Sequence, residues 1–340
     1  MGNFKKWSES LLQSSKKVIM PKRIIVIFAM LFLFGYNNKI IAQDPIFSQF
    51  YGNPLYLNPA LAGAEHCPRV ILNYRNQWPG IDGTVYATYS ASYDQYVNKI
   101  FGGVGLLATH DVAGPASLTT NNISGIYNYH LKVSHTFNLN FALQGTWFQK
   151  SIDWSKLTFG DMIDRRKGFV YNTLETPKFN QVNGWDFSTG VFGYTKNYYG
   201  GVAVNHLTQP NEGLLTTSKL PMKVTAHFGA NIPLGDHRKT DAVTISPNVL
   251  FQKQQNINQL FLGVYLKKGA LVSGLWYRNK DAITLLLGVQ QPHFKIGYSY
   301  DVTISKLTNA TYGAHEISFA LLFSCKDPKK KYNPVNCPSF

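Results

Sequence analysis

Three charged residues stand at the ends of alternating apolar segments late in the chain. Arg278 closes Gly274-Leu-Trp-Tyr-Arg278, Asp301 closes Gly297-Tyr-Ser-Tyr-Asp301, and Glu316 lies near the start of the run Gly313 to Phe323. A guanidinium and two carboxylates can tie segments together as ion pairs or meet a passing or docked partner. They do not amount to a catalytic set. The sequence holds no His-Glu-x-x-His, no Gly-x-Ser-x-Gly, no P-loop and no Gly-x-Gly-x-x-Gly opening a helix. His206 and the adjacent His315-Glu316 have metal-binding chemistry, but successive strand residues face opposite sides and no Cys/His set accompanies them. No enzymatic activity, metal or cofactor is therefore expected.

The segments that carry these charges read as strands with two unlike faces. Phe294, Ile296, Tyr298 and Tyr300 alternate with Lys295, Gly297, Ser299 and Asp301, and Ile317, Phe319, Leu321 and Phe323 alternate with Glu316, Ser318, Ala320 and Leu322. The same period of two sets Phe137, Leu139, Phe141, Leu143 and Trp147 against Asn138, Asn140, Gln144 and Thr146. Fourteen such strands can be marked: 69–78, 84–95, 101–110, 117–130, 135–149, 184–196, 199–208, 221–232, 241–253, 257–268, 270–279, 282–290, 293–302 and 313–324. Each is near the ~10 residues of a tilted membrane strand. The seventh has no readable faces.

Connection lengths choose between a soluble sandwich and a membrane barrel. Long connections (150–183, 209–220, 303–312) fall on one end, and tight turns (Asn197-Tyr198, Lys268-Gly269, Gln291-Pro292) fall on the other, with Pro233 to Thr240 the exception. That asymmetry is expected of an outer-membrane barrel with short periplasmic turns and long external loops. The expected fold is therefore all-β, a transmembrane antiparallel outer-membrane β-barrel of about 14 strands. If Tyr277, Tyr300 and Ile317 face lipid, then Arg278, Asp301 and Glu316 face the lumen at the external end, as a charge network.

Domain organisation follows. Lys22 and Arg23 precede an apolar run from Ile24 to Phe34, and a polar stretch ends at Ala42, so residues 1–42 read as a signal peptide. A start at Met20 leaves a signal of ordinary length. Residues 43–68, with Asn53-Pro54 and Asn58-Pro59, read as an irregular periplasmic lead-in that packs at the barrel mouth. Residues 69–325 form the barrel and 326–340 a basic periplasmic tail.

The formal charge of +15 includes seven basic residues and one acidic residue in the leader. Removing these leaves 26 basic against 17 acidic, or +9, scattered with only short clusters and no nucleic-acid motif. A nucleic-acid partner is not expected. Three cysteines in an exported chain allow one disulfide. Closure of an even-numbered barrel permits Cys67 to meet Cys325, Cys337 could reach either, and the pairing stays open.

The run Phe47-Ser-Gln-Phe-Tyr-Gly-Asn-Pro-Leu-Tyr-Leu-Asn-Pro-Ala-Leu-Ala-Gly63, together with His206-Leu-Thr-Gln-Pro210, Gly274 to Arg278, Gly297 to Asp301 and Gly313 to Ser318, resembles the PorP/SprF family of Bacteroidetes outer-membrane proteins associated with the type IX secretion system. The resemblance runs from about Gln43 to the C-terminus. It implies a non-enzymatic outer-membrane component that assists export or surface attachment of secreted proteins, often large adhesins, through their C-terminal sorting domains. Its implied partners are that cargo, other secretion components and outer-membrane lipid. The competing expectation is a passive outer-membrane channel or lipophile transporter.

Overall fold

The computed structural model describes residues 44–324, apart from 66, 82, 116, 117, 165, 175–179, 215, 235–242 and 306–311. The leader, the basic tail, Cys325 and Cys337 lie outside the described residues. Fourteen antiparallel strands form one closed barrel: β1 (Arg69–Gln77), β2 (Tyr86–Val97), β3 (Gly102–Ala113), β4 (Leu118–Lys132), β5 (Asn138–Ser151), β6 (Gln181–Tyr194), β7 (Tyr198–Asn205), β8 (Lys223–Ala230), β9 (Val243–Gln254), β10 (Ile257–Lys268), β11 (Leu271–Arg278), β12 (Ala282–Gln290), β13 (Phe294–Thr303) and β14 (Ala314–Leu322). Consecutive strands pair, and β14 closes on β1 with Arg75 opposite Glu316 and Tyr74 opposite Ile317. Closure leaves no edge for another chain to extend.

The alternation sets which side chain meets which solvent. In β5, Phe141 and Leu143 are exposed on the outer face, whereas Asn138, Asn140 and Thr146 are buried on the inner one. Across the barrel the outward row reads Leu72, Tyr89, Leu106, Ile123, Leu143 and Phe187, the apolar band that hydrocarbon would cover. Pro247 interrupts this regularity in β9: it has no amide to donate, and the β8 ladder breaks opposite it before resuming at Ile232–Leu234. At the tight end, Gly269 takes a φ of 57° in the turn joining Lys268 to Leu271. Two short turns, 255–256 and 279–281, fall on the long-loop end.

Strand boundaries differ from the expected ones by a few residues. β6 begins at Gln181 rather than 184 and β7 ends at Asn205 rather than 208. The faces of β7 now read clearly, with Tyr199 and Ala203 buried inside and Tyr198 and Val202 exposed outside. Its signal is weak because Gly200 and Gly201 replace side chains in the middle. A Cβ on Gly201 would lie 2.7 Å from Asn58 Nδ2, so the inner glycine makes room for something else inside the barrel.

That something is the lead-in. Residues 47–64 are almost entirely buried, with the short helix α1 (Pro54–Leu57) among them, and their partners lie on inward faces around the barrel. Phe50 packs edge-on against Phe261 and Trp276, and Tyr51 against Tyr199, His227 and Tyr265. Each buried ring contributes about 2 kcal/mol by area removed from water. Cavities of about 20 and 10 Å³ beside this strap hold roughly one water apiece.

Candidate functional site in the barrel lumen

The strap enters at the long-loop end and leaves at the tight-turn end. Exposure rises from buried Phe47 to half-buried Asp44, whose partners sit at the long-loop ends of their strands or just beyond them. Asp44 Oδ2 lies 2.9 Å from His206 Nε2 and 3.3 Å from Lys223 Nζ, and its amide donates to Gln254 Oε1 at 3.2 Å. His206 Nδ1 meets Asp186 Oδ2 at 2.7 Å, and Thr208 donates to the other Asp186 oxygen. The expectation of a periplasmic lead-in at the barrel mouth is thereby corrected. Residues 44–64 run the length of the lumen, because Asp44 is held at the mouth opposite the one where Arg69 begins β1.

Electrostatics hold this upper anchor in its charged form. Burial pulls the His206 imidazole down, but the carboxylates of Asp44 and Asp186 outweigh it and raise its pKa to about 10. Burial likewise pushes Asp44 up, and the charges of His206 and Lys223 override this to hold its carboxyl far below the usual range. At neutral pH the contact is a pair of opposite charges.

The middle of the strap meets the charges singled out in the sequence. Arg278, Asp301 and Glu316 all face the lumen and are buried. Arg278 Nη2 approaches Asp301 Oδ2 at 3.3 Å, whereas Arg278 Nε pairs with Asp281 at 2.7 Å. Glu316 has another partner. Arg75 on β1 places Nη1 3.1 Å from Glu316 and Nη2 2.8 Å from Asp301, so the hub of the cluster is an arginine that sequence reasoning missed. Its signal was available: Arg69, Asn73 and Arg75 share one parity on β1, the strand that closure sets beside β14. Thr284 also donates to Asp301.

This cluster grips the strap. The Ser48 amide donates to Glu316 Oε2 at 2.6 Å and the Gln49 amide to Glu316 Oε1 at 3.1 Å. Ser48 Oγ donates to Asp301 at 2.6 Å while it accepts from Arg75 at 2.7 Å. Gln49 Nε2 reaches Ser299 Oγ and the Glu316 carbonyl, and Ser318 Oγ donates back to Gln49. Every buried charge here has a counter-charge or a donor, as burial requires.

Below, the strap is held by its main chain. Asn73 Nδ2 donates to the Gly52 carbonyl at 3.2 Å. Asn128 Nδ2 donates to the carbonyls of Ala60 and Ala62, each at 2.8 Å, and Asn140 adds a bond to Ala60. The Gly63 amide donates to Asp94 at 2.7 Å, and Asp94 in turn pairs with Arg69 at 2.6 Å. Glu65 closes the lower end with Arg69 and Lys295; burial raises its carboxyl, but those two cations hold it below its usual range.

The other flagged residues lie elsewhere. His315 points outward and meets the Tyr298 hydroxyl at 2.8 Å. Among the described residues no group of His, Cys, Asp and Glu is arranged to hold a metal ion. Cys67 is disulfide-bonded, and both other cysteines lie outside the described residues. In the loop between β5 and β6, the Asp164 carboxylate caps the amides of Arg166 and Lys167 and accepts from the Tyr171 hydroxyl, leaving both cationic side chains exposed.

Residues 40–321 match the family model of the type IX secretion system membrane protein PorP/SprF. No curated protein matches the chain. Among solved structures, the CymD monoaromatic hydrocarbon channel is similar at 12% identity, covering 80% of this chain and 93% of its own, with a TM-score of 0.42. The Acinetobacter baumannii outer-membrane protein Omp33 is 8% identical over 77% of this chain and 100% of its own, TM-score 0.40. The P. putida toluene transporter TodX is 9% identical over 79% and 93%, TM-score 0.42.

Proposed function

Because this outer-membrane β-barrel belongs to the PorP/SprF family of type IX secretion system membrane proteins, we propose that it helps deliver specific secreted proteins or adhesins to the surface, by engaging their C-terminal sorting domains together with other secretion components. The observation that favours this over a passive channel is the strap. A diffusion channel needs a continuous aqueous lumen or a greased path through it, and here residues 47–64 are packed against opposite walls, with ion pairs of Asp44 and Glu65 flanking them at the two ends. Moving a solute through would require breaking several buried charge contacts, each costly when only one partner leaves. A component that binds other proteins needs no open path for a solute.

Loss of the protein should leave particular secreted proteins undelivered while small-solute uptake stays normal. Affinity purification from the native outer membrane should recover secretion components or cargo. Normal delivery of every secreted protein, combined with slowed uptake of a small solute, would favour the channel instead.

A further inference from the structure

Along much of its length the wall of the lumen addresses the strap through groups that any polypeptide possesses. Glu316 accepts from the amides of Ser48 and Gln49. Asn73, Asn128 and Asn140 donate to the carbonyls of Gly52, Ala60 and Ala62. Asp94 accepts from the Gly63 amide and Arg69 donates to the Leu61 carbonyl. Short wall residues let the main chain come close: a Cβ on Gly103 would collide with the Ala62 carbonyl oxygen, and one on Gly190 with Asn58. Side chains of the strap are read at three places: Ser48 and Gln49 at the charge cluster, Asn58 at the Val191 carbonyl, and an aromatic recess where Phe261, Trp276, Tyr265 and Tyr199 surround Phe50 and Tyr51. Backbone-directed amides and carboxylates with one aromatic recess are the chemistry of a site for an extended or irregular polypeptide.

We propose that the lumen is a polypeptide-binding channel whose resident occupant is the strap, and that the strap withdraws so that a segment of a secreted partner, bearing an aromatic side chain for the recess, takes the same wall groups. The proposal rests on the secretion reading above for the source of that segment. The geometry of the exchange is set by the chain itself. The strap is covalently joined to the barrel at β1, and its hold elsewhere consists of hydrogen bonds, ring contacts and ion pairs. An incoming chain whose amides and carbonyls meet Glu316, Asn73, Asn128, Asn140 and Asp94 replaces the main-chain bonds of the strap, so exchange spares these wall groups the cost of losing a partner.

A reversible lock tests this. A Cβ built on Gly52 lies 3.6 Å from Ser318 Cβ, within the range a disulfide spans. The full chain carrying Gly52→Cys and Ser318→Cys is compared with each single variant and with the wild type, oxidised and after reduction. In cells, the oxidised lock should lose delivery of the proteins that depend on this barrel and regain it on reduction, whereas delivery by either single variant should not change on reduction. Where deletion of the protein abolishes delivery, delivery by the oxidised lock equal to wild type overturns the proposal. A second arm does not depend on the secretion reading. A photoreactive synthetic peptide copying residues 44–64 is added to the purified full chain, and crosslinks to the wall strands around Asn128 and Asn140 are expected in the reduced protein and absent in the oxidised lock. No crosslink in either form means the wall does not accept a second chain, and the proposal falls even if the protein serves secretion. Deletion that leaves every secreted protein in place, with crosslinking as expected, removes the secretion source and keeps the channel.

Discussion

Arg75 Nη2 lies 2.8 Å from Asp301 Oδ2, although β1 and β13 are not neighbours. The arginine reaches across β14, where it also meets Glu316, and so three strands on both sides of the closing seam share one buried cation. Because Ser48 and Gln49 donate to the same carboxylates, closure of the barrel and seating of the strap use one set of charges.

Arg75→Ala should therefore be the most damaging single change in the cluster. It leaves two buried carboxylates without their main counter-charge, a situation that costs about 3–5 kcal/mol. Arg75→Ala combined with Asp301→Asn and Glu316→Gln should recover much of that loss, and Arg278→Ala should cost less than Arg75→Ala because Asp301 keeps Arg75. Urea unfolding in lipid vesicles measures all three; equal and additive losses would remove the hub from the account.

The face assignment is tested in β5. Leu143 is 68% exposed on the outer face, and Gln144 donates inward to Ser124 and Thr146. Leu143→Arg should cost about 2–4 kcal/mol in a bilayer, and Gln144→Arg clearly less. Equal costs at the two positions would contradict the assignment.

The upper anchor has a defined pH dependence. His206 has a folded pKa raised from 6.5 to about 10, so its contribution to stability is complete below about 6.5 and is lost as the pH rises through about 10. Asp44 is depressed from 3.8, so its contribution is complete above about 3.8 and is lost in acid. Protease protection of the strap should thus hold from weakly acid to neutral pH and decline in alkali. Asp44→Asn should lower the His206 midpoint measured by NMR; an unchanged midpoint would show that Asp44 does not hold it.

Sidedness offers a paired measurement. An epitope inserted immediately before Asp44 and a cysteine replacing Lys167 in the β5–β6 loop should both be reached by impermeant probes on intact cells, since both lie at the long-loop end. Labelling of one without the other would break the through-lumen path of the strap.

The barrel was legible in the sequence and its filling was not. Alternation marks a strand when its two faces meet different media, and lipid on one side supplied that contrast in β5, β13 and β14. The strap meets wall on every side, so it shows no period; its aromatic, Asn and Pro content marked it as ordered without saying where. Gly200 and Gly201 hid the faces of β7: Gly201 is small to admit Asn58 of the strap, and Gly200 lies against Phe228 on the other face. Arg278, Asp301 and Glu316 were placed inward by parity alone. Arg75 required the further step of asking what closure brings beside β14.

Gly103 isolates the fit between wall and strap. A side chain there meets the Ala62 carbonyl and the Gly63 Cα, neither of which can turn away as a side-chain tip could. Gly103→Val should destabilise the folded barrel by about 1–3 kcal/mol, whereas Gly125→Val, with open space outside, should be near neutral in heat-modifiability assays. Matching effects would argue that the strap is not against β3.

The measurement closest to the central claim is the conductance of the purified full chain in a planar bilayer in the absence of any partner. A lumen filled by residues 44–64 predicts a silent membrane across the physiological pH range, with current appearing only when the strap's hold is weakened by Arg75→Ala or Asp44→Asn. A steady open conductance from the unmodified chain would contradict a filled lumen and return the protein to the class of passive channels.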